Sequence, residues 1–66
     1  MKIIINGQEK NFTAPLSIEE CLAQEGYTEM TIALARNGTF TPKGDYTKIF
    51  LEDSDQIEIV APMQGG

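Results

Sequence analysis

The sequence predicts an α+β domain in which one β-sheet carries a single helix on one face. Two Asn-Gly pairs, Asn6-Gly7 and Asn37-Gly38, mark tight hairpin turns. Residues 18–25, between the hairpins, have apolar side chains at helical spacing, and residues 57–60 begin as a strand with alternating apolar and acidic side chains. The order is therefore hairpin, helix, hairpin and strand, and segregated elements of this kind form an α+β fold.

The first hairpin is expected within residues 2–13. Residues 2–5 are mostly isoleucine and predict a strand. Asn6-Gly7 fits a type I′ turn, because both of its central positions need a positive φ. The return strand, 8–13, is polar apart from Phe12, which is typical of an edge strand. Ala14-Pro15 ends it.

The helix is predicted from Ile18 to Glu25. Ser17 and Glu20 have the spacing of a capping box, in which each side chain accepts a hydrogen bond from the other residue's backbone N–H. Gly26 is a natural stop beyond the last turn. Three apolar residues fall on one face of the helix and are expected in the core: Ile18, Cys21 and Leu22.

The second hairpin is expected as a strand at 31–36, the Asn37-Gly38 turn and a short return strand at 39–41. For the first of these strands, the sequence does not decide which face is buried. Either Ile32 and Leu34 face the core, or Ala33 and Ala35 do. Arg36 shares a face with Ile32 and Leu34, which weakly favours the two alanines as the core residues.

The remaining segments lead into the last strand. Residues 42–48 are expected to be a loop, 49–51 a single packed turn and 52–55 an acidic turn. Asp53 and Asp55 are expected to be turn residues rather than cation ligands. The first and last strands are the most apolar, so both are expected inside the sheet with the hairpins flanking them. Pro62 ends the final strand because it has no N–H to donate.

The alternation of side chains assigns the two faces of the sheet. With Ile57 and Ile59 towards the helix, Val60 faces outward, and the same phase puts Ile3 and Ile5 inward and Ile4 outward. Phe40, on a short strand with polar neighbours, is expected to join Val60 on the open face. Ile4, Phe40 and Val60 are therefore candidate partner-docking residues. The competing interpretation is that they are scattered surface apolar residues, which are normal.

Composition restricts the possible functions. The chain has 66 residues, a net charge of −5, one cysteine and no histidine. A chain this short forms one domain with a small core, which argues against an autonomous enzyme. The acidic balance argues against nucleic-acid binding. The cysteine and histidine counts argue against zinc sites and against Cys–His or Ser–His catalysis, so no metal site is expected. No membrane-length apolar run or signal peptide is apparent, so a cytoplasmic protein is the default expectation.

The sequence ends in a short tail, which divides it into a domain at 1–61 and a flexible tail at 62–66. Gly65 and Gly66 lack side chains, so they form a thin peptide that can enter a narrow cleft and present the carboxylate of Gly66 to a partner's active site. The alternative is a frayed terminus with no role.

Four parts of the sequence match a known pattern: Ala33 to Gly38, Pro42, Asp53 to Val60, and Gln64 to Gly66. Together they resemble the ThiS family of sulfur carriers in thiamine biosynthesis. The order of elements also resembles the β-grasp fold of ubiquitin, a mixed sheet of about four to five strands with one helix packed on one face. Two residues depart from the family pattern. Ser54 stands where a glycine is usual, and Tyr46 where tryptophan is frequent.

The resemblance implies a carrier that is a substrate and not an enzyme. A ThiF-like adenylyltransferase would use ATP and Mg²⁺ to adenylate the carboxylate of Gly66, and a sulfur donor protein would convert it to a thiocarboxylate. A ThiG-like thiazole synthase would then take the sulfur into the thiazole ring of thiamine. The carrier itself would bind no cofactor. Met63 and Gln64 would become ordered only in a partner's channel and count among the docking residues.

Three alternatives stay open from the sequence. The nearest is the small subunit of molybdopterin synthase, which is MoaD-like and has the same fold and chemistry; the single Pro62 and Gln64 favour the thiamine carrier over it. A second is a ubiquitin-like modifier that joins its terminus to lysines. A third is a binding module whose tail is inert.

Overall fold

A computed structural model describes the chain at residues 1–27 and 31–61. This part folds into a mixed five-stranded sheet with one helix. The elements are β1 (Lys2–Ile5), β2 (Gln8–Asn11), α1 (Ile18–Glu25), β3 (Ala33–Arg36), β4 (Thr39–Thr41), a 3-10 turn (Lys43–Asp45) and β5 (Asp55–Val60). The predicted α+β class is confirmed.

The strand order β2-β1-β5-β3-β4 places β1 and β5 inside the sheet, as predicted. β1 pairs with β5 in parallel, whereas the other neighbouring pairs are antiparallel. The hairpins β1-β2 and β3-β4 therefore lie on either side of β5. β2 is an edge strand, also as predicted, and it ends at Asn11, two residues earlier than expected.

One face of the sheet and the helix enclose the core. β1, β3 and β5 bury their inward residues, and α1 buries its apolar stripe, so the predicted orientations of β1, β5 and the helix are confirmed. Leu16, Tyr46 and Leu51 from the connecting segments complete the same cluster. The buried apolar residues are Ile3, Ile5, Leu16, Ile18, Cys21, Leu22, Leu34, Tyr46, Leu51, Ile57 and Ile59.

Local sequence signals account for the turns and the helix ends. Asn6 and Asn37 have φ values of 49° and 50°, and the glycine after each also has a positive φ, as a type I′ turn requires. The capping box is complete: Glu20 N donates to Ser17 Oγ at 3.1 Å, and Ser17 N donates to Glu20 Oε1 at 2.9 Å. Gly26 ends the helix with a φ of 89°.

The weakly favoured orientation of β3 is wrong. Leu34 is only 1% exposed, whereas Ala33 lies on the surface, so the leucine faces the core. Arg36 does share the inner face with Leu34, but it lies at the end of the strand, where it forms an ion pair with Asp55. β3 also begins at Ala33 and not at residue 31, although Ile32 packs against the core from outside the strand.

The segment at 49–51 also differs from its prediction as a packed turn. It is extended and pairs with the segment before the helix: Ile18 N donates to Ile49 O at 3.0 Å, and Leu51 N donates to Leu16 O at 2.8 Å. Ser17 and Phe50 form an isolated antiparallel bridge between these two bonds. Two short apolar segments therefore satisfy each other's backbone at the entrance to the helix. The preceding loop contains the 3-10 turn Lys43–Asp45.

Candidate functional site

β5 is the central strand of the sheet, and the predicted tail follows it in sequence. It is held on one side by β1, up to the pair Ile5–Ile57, and on the other side by β3, up to the pair Ala33–Val60. Its inward and outward residues alternate over the whole strand. The tail at 62–66, with Met63, Gln64, Gly65 and Gly66, lies outside the described residues, as does the predicted boundary at 61/62. The described part of the site is therefore the last section of β5 and the surface around it.

Two turn asparagines bind β5 through their side chains. Asn6 Oδ1 accepts from Ile59 N at 2.8 Å, and Asn6 Nδ2 donates to Ile59 O at 3.3 Å. Asn37 Oδ1 accepts from Gln56 N at 2.9 Å, and Asn37 Nδ2 donates to Asp55 Oδ1 at 3.0 Å. One asparagine thus binds each end of the strand. The sequence predicts only a turn conformation for both residues and gives no signal for these contacts.

A buried carboxylate fixes the beginning of β5. Asp55 Oδ2 accepts from Arg36 Nε at 2.9 Å and from Glu52 N at 2.8 Å, while Oδ1 accepts from Asn37. Burial alone would raise the pKa of the Asp55 carboxyl, but these hydrogen bonds and the Arg36 charge outweigh burial and lower it. Asp53 instead accepts from Lys2 N at 2.7 Å, and this bond is the main cause that lowers its pKa. Both carboxylates therefore have structural partners. Asp53 lies in the turn as predicted, whereas Asp55 is the first residue of β5, because the strand begins two residues earlier than expected.

The open face of the sheet carries an apolar patch beside the end of β5. Phe40 is 66% exposed and Val60 is 67% exposed. The strand register puts Ala35 between Phe40 on β4 and Glu58 on β5, and it puts Ala33 opposite Val60. Phe40 and Val60 therefore lie diagonally across the two alanines of β3, with the exposed side chain of Glu58 beside them. We call these four residues the open-face patch: Ala33, Ala35, Phe40 and Val60. Exposed apolar surface of this kind is typical of a contact site for another protein.

Ile4, the third predicted docking residue, lies away from this patch. It is half-buried, and it lies opposite Gln56 on β5 and Glu9 on β2. Along β5, Gln56 and Val60 are four positions apart, which is roughly 13 Å at the rise of a strand. The structure therefore brings Phe40 and Val60 to one surface and places Ile4 towards the other end of the same face.

Phe50 is a third large exposed apolar side chain, with 53% of its surface accessible. It lies in the segment that pairs with residues 16–18, on the helix side of the sheet. The sequence analysis placed it in a packed turn and did not expect this exposure. Since it lies outside the five strands and pairs with Ser17, it offers a matched control for Phe40.

The side chains of the described residues offer few groups that could catalyse a reaction or hold a metal ion. Cys21 is 2% exposed, and burial raises the pKa of its thiol to about 11, so it is protonated and inaccessible at neutral pH. Among residues 1–27 and 31–61, no group of three or more acidic, histidine or cysteine side chains is placed to hold a metal ion. In the same part of the chain, no helix has the length and apolar character needed to cross a bilayer.

The mixed sheet with one helix defines a ubiquitin-like protein of the β-grasp fold. The crystal structure of the thiamine biosynthesis protein ThiS from Geobacter metallireducens matches it with a TM-score of 0.80 and 22% sequence identity, over 100% of both chains. At this identity the likeness establishes the fold. Residues 3–66 also match the ThiS family. The chain belongs to the ThiS family, whose members are small sulfur carrier proteins.

Relatives of known sequence include enzymes and a protein of similar size. Thiazole synthase from Paramagnetospirillum magneticum is 39% identical over 66 residues, and this chain spans 20% of that protein. Thiazole synthase from Magnetococcus marinus is 35% identical over 66 residues, again 20% of its length. Uncharacterized protein ycf40 from Porphyra purpurea is 30% identical over 66 residues, which cover 93% of it. This chain therefore spans a fifth of the two enzymes and nearly all of ycf40.

Proposed function

We propose that the chain carries sulfur for the thiazole ring of thiamine, and that the carboxylate of Gly66 is the group that is modified. The match to the ThiS family over residues 3–66 carries this proposal, because it extends through both terminal glycines. The β-grasp fold supports it, since the central strand β5 runs towards that end of the chain. Fold alone would not suffice, because one fold hosts many functions.

The proposed chemistry has two steps, both catalysed by partner enzymes. A carboxylate resists nucleophiles because of its own negative charge. A ThiF-like adenylyltransferase would let the Gly66 carboxylate attack the α-phosphate of Mg²⁺-bound ATP, which forms an acyl-adenylate and releases pyrophosphate. Sulfur at the sulfide level, delivered by a sulfur donor protein, would then attack the acyl carbon. The C–S bond would form as the C–O bond to AMP breaks, which releases AMP and leaves a thiocarboxylate. The missing side chains of Gly65 and Gly66 give the nucleotide and the sulfur nucleophile access to the carbonyl carbon.

The chain would be a substrate in both steps and not a catalyst. Its one thiol, Cys21, is buried and protonated at neutral pH, and the sequence has no histidine to act as a base. ATP and Mg²⁺ would belong to the adenylyltransferase, and the chain itself would bind no cofactor. This division of labour agrees with its small size.

Docking would use the open-face patch. Phe40 and Val60 offer large exposed apolar side chains, and Val60 is the last residue of the strand that leads to the tail. A partner that covers this patch would therefore hold the carrier next to the point where the tail begins. Ile4 is half-buried and lies further along the same face, so it would contribute at the margin of the contact.

A ThiG-like thiazole synthase is the proposed sulfur acceptor. The support comes from the two thiazole synthases to which this whole chain is similar over a fifth of their length. A carrier-like segment within such enzymes is consistent with a carrier and a synthase that act together. For this chain the synthase would be a partner.

Adenylation is the direct test of the proposed site. The chain ending at Gly66 should support ATP–pyrophosphate exchange by a ThiF-like adenylyltransferase. The matched control carries one extra residue after Gly66, which leaves the fold intact and moves the carboxylate. The proposal predicts that the control loses exchange. Equal exchange by both proteins would show that the carboxylate of Gly66 is not the reacting group.

Genetic rescue distinguishes the pathways. Expression of the chain in a bacterial strain that lacks its thiamine sulfur carrier should restore growth without thiamine. Rescue of a strain deficient in molybdenum cofactor, without rescue of the thiamine auxotroph, would instead support the role of a molybdopterin synthase subunit. Isopeptide-linked conjugates in cell extract would support a protein modifier.

A further inference from the structure

The side chain of Asn6 continues the β1–β5 pairing beyond the end of β1. The last backbone pair is Ile5–Ile57, after which Asn6 N donates to Ile57 O at 2.9 Å and the chain turns away at Asn6-Gly7. Both polar backbone groups of Ile59 then bind the Asn6 amide, at 2.8 Å and 3.3 Å. One side chain thus supplies the donor and the acceptor that a longer β1 would have supplied.

This contact lies at the end of β5 from which the tail continues. On the opposite side of β5, pairing with β3 ends at Ala33–Val60, because Ala33 is the first residue of β3. β1 itself ends at Ile5, opposite Ile57, and the Asn6 side chain extends this pairing to Ile59. The last section of β5 is therefore bound by Asn6 on one side and by Ala33 on the other.

The turn by itself does not require asparagine. The first central position of a type I′ turn needs a positive φ, and glycine adopts this conformation more readily than asparagine. Glycine at position 6 would therefore keep the turn and remove the amide. The turn conformation and the contact with Ile59 can be separated by one substitution.

We infer that Asn6 is a positioning residue for the reaction at Gly66, acting through its bonds to Ile59. The inference rests on the proposed carrier function. Without the amide, the backbone at Ile59 loses its partners on the β1 side, so the end of β5 is held less firmly when Gly66 enters a partner's active site. Val60 keeps its pair with Ala33, and the other residues of the open-face patch lie on β3 and β4, away from the Asn6 amide. The defect should therefore appear in turnover and not in docking.

The test compares Asn6→Gly with Asn37→Gly. Asn37 has the same backbone conformation and also binds β5, but at Gln56 and Asp55, the end remote from the tail. Adenylation rates are measured against carrier concentration, at a temperature where circular dichroism shows both variants folded. Asn6→Gly should lower kcat about threefold to tenfold, the factor that one net hydrogen bond commonly represents, with KM within about twofold. Asn37→Gly should leave kcat unchanged.

Two further readouts separate positioning from a general loss of stability. The Ile59 amide should exchange with solvent faster in Asn6→Gly and at the wild-type rate in Asn37→Gly under native conditions. Asn6→Asp, which keeps the acceptor for Ile59 N and loses the donor, should have a kcat between those of wild type and Asn6→Gly.

The outcomes for Asn6 and for the carrier function are distinct. Equal kcat values for wild type and Asn6→Gly, or parallel losses in Asn6→Gly and Asn37→Gly, would overturn the positioning role and leave the carrier function standing. Failure of the wild-type chain to be adenylated by an active enzyme would overturn the carrier function itself.

Discussion

The proposed docking on the open-face patch predicts that truncation of Phe40 weakens binding to a ThiF-like adenylyltransferase. A phenylalanine side chain presents roughly 200 Å². With Phe40 66% exposed, about 130 Å² is open to a partner. Complete burial of that area would contribute about 3 kcal/mol at 25 cal/mol per Å². Burial at an interface contributes less to affinity than this area estimate, because binding also costs conformational freedom. We therefore expect Phe40→Ala to weaken the binding free energy by about 2 kcal/mol, which is about a thirtyfold higher Kd.

The measurement is the Kd of the chain for the adenylyltransferase by titration calorimetry. Phe50→Ala is the control, because Phe50 is a similarly exposed phenylalanine on the helix side of the sheet. Its Kd should stay within about twofold of wild type. The free energy of unfolding should fall by less than about 1 kcal/mol in Phe40→Ala, since the side chain is on the surface. Equal effects of the two substitutions on Kd would refute docking through the open-face patch.

Three further predictions concern stability and reactivity. Asp55→Asn should lower the free energy of unfolding at pH 7 by about 2 to 3 kcal/mol in urea titrations, because it breaks a buried ion pair. The folded-state pKa of Asp55 is lowered, so its stabilising effect is present above the ordinary carboxyl range and is lost as pH falls through the lowered pKa. The free energies of unfolding of wild type and variant should therefore converge in acid. A difference between them that stays constant with pH would contradict this reasoning. Ser54→Gly should raise stability by about 1 kcal/mol, because Ser54 has a φ of 72°, and a loss would show that its hydroxyl contact to Asp53 outweighs the strain. Cys21 should react with thiol reagents only at the rate of unfolding, since its thiol is buried and its pKa is raised to about 11, and fast labelling of the native protein would contradict this burial.

Local signals determine much of this fold, and the sequence was sufficient to predict those parts. An Asn-Gly pair favours a type I′ turn wherever it occurs, and the two residues of the capping box, Ser17 and Glu20, are only three positions apart. The alternation of Ile57 and Ile59 with Glu58 likewise assigns the faces of β5 without reference to any other strand. Each of these predictions is confirmed, including the bounds of the helix.

The errors arose where the answer depends on distant residues. In β3, Leu34 and its alanine neighbours are all apolar, so alternation did not identify the buried face. Arg36 was weighed as a charge that avoids the core, but Asp55, 19 residues away in sequence, neutralises it at the end of the strand. The prediction for residues 49–51 was wrong for the same kind of reason. Their pairing partner lies more than 30 residues earlier, in the segment before the helix.

The candidate site was predictable in its exposed residues and not in its arrangement. The outward position of Val60 followed from strand period, and that of Phe40 from the polar residues beside it. The distance between Ile4 and Val60 depends instead on strand order and register. The hydrogen bonds between Asn6 and Ile59 join residues 53 positions apart. The turn at Asn6-Gly7 needs only a positive φ, so its sequence gives no reason to expect these bonds. No local sequence pattern distinguishes an asparagine that only forms a turn from one whose side chain also binds a distant strand.

The intact mass of the chain after incubation with the adenylyltransferase, Mg²⁺, ATP and a sulfur donor tests the central claim most directly. The carrier function predicts a mass increase equal to the replacement of one oxygen by one sulfur, located at Gly66 by fragmentation. An unchanged mass, with an adenylyltransferase that is active on another carrier, would contradict it.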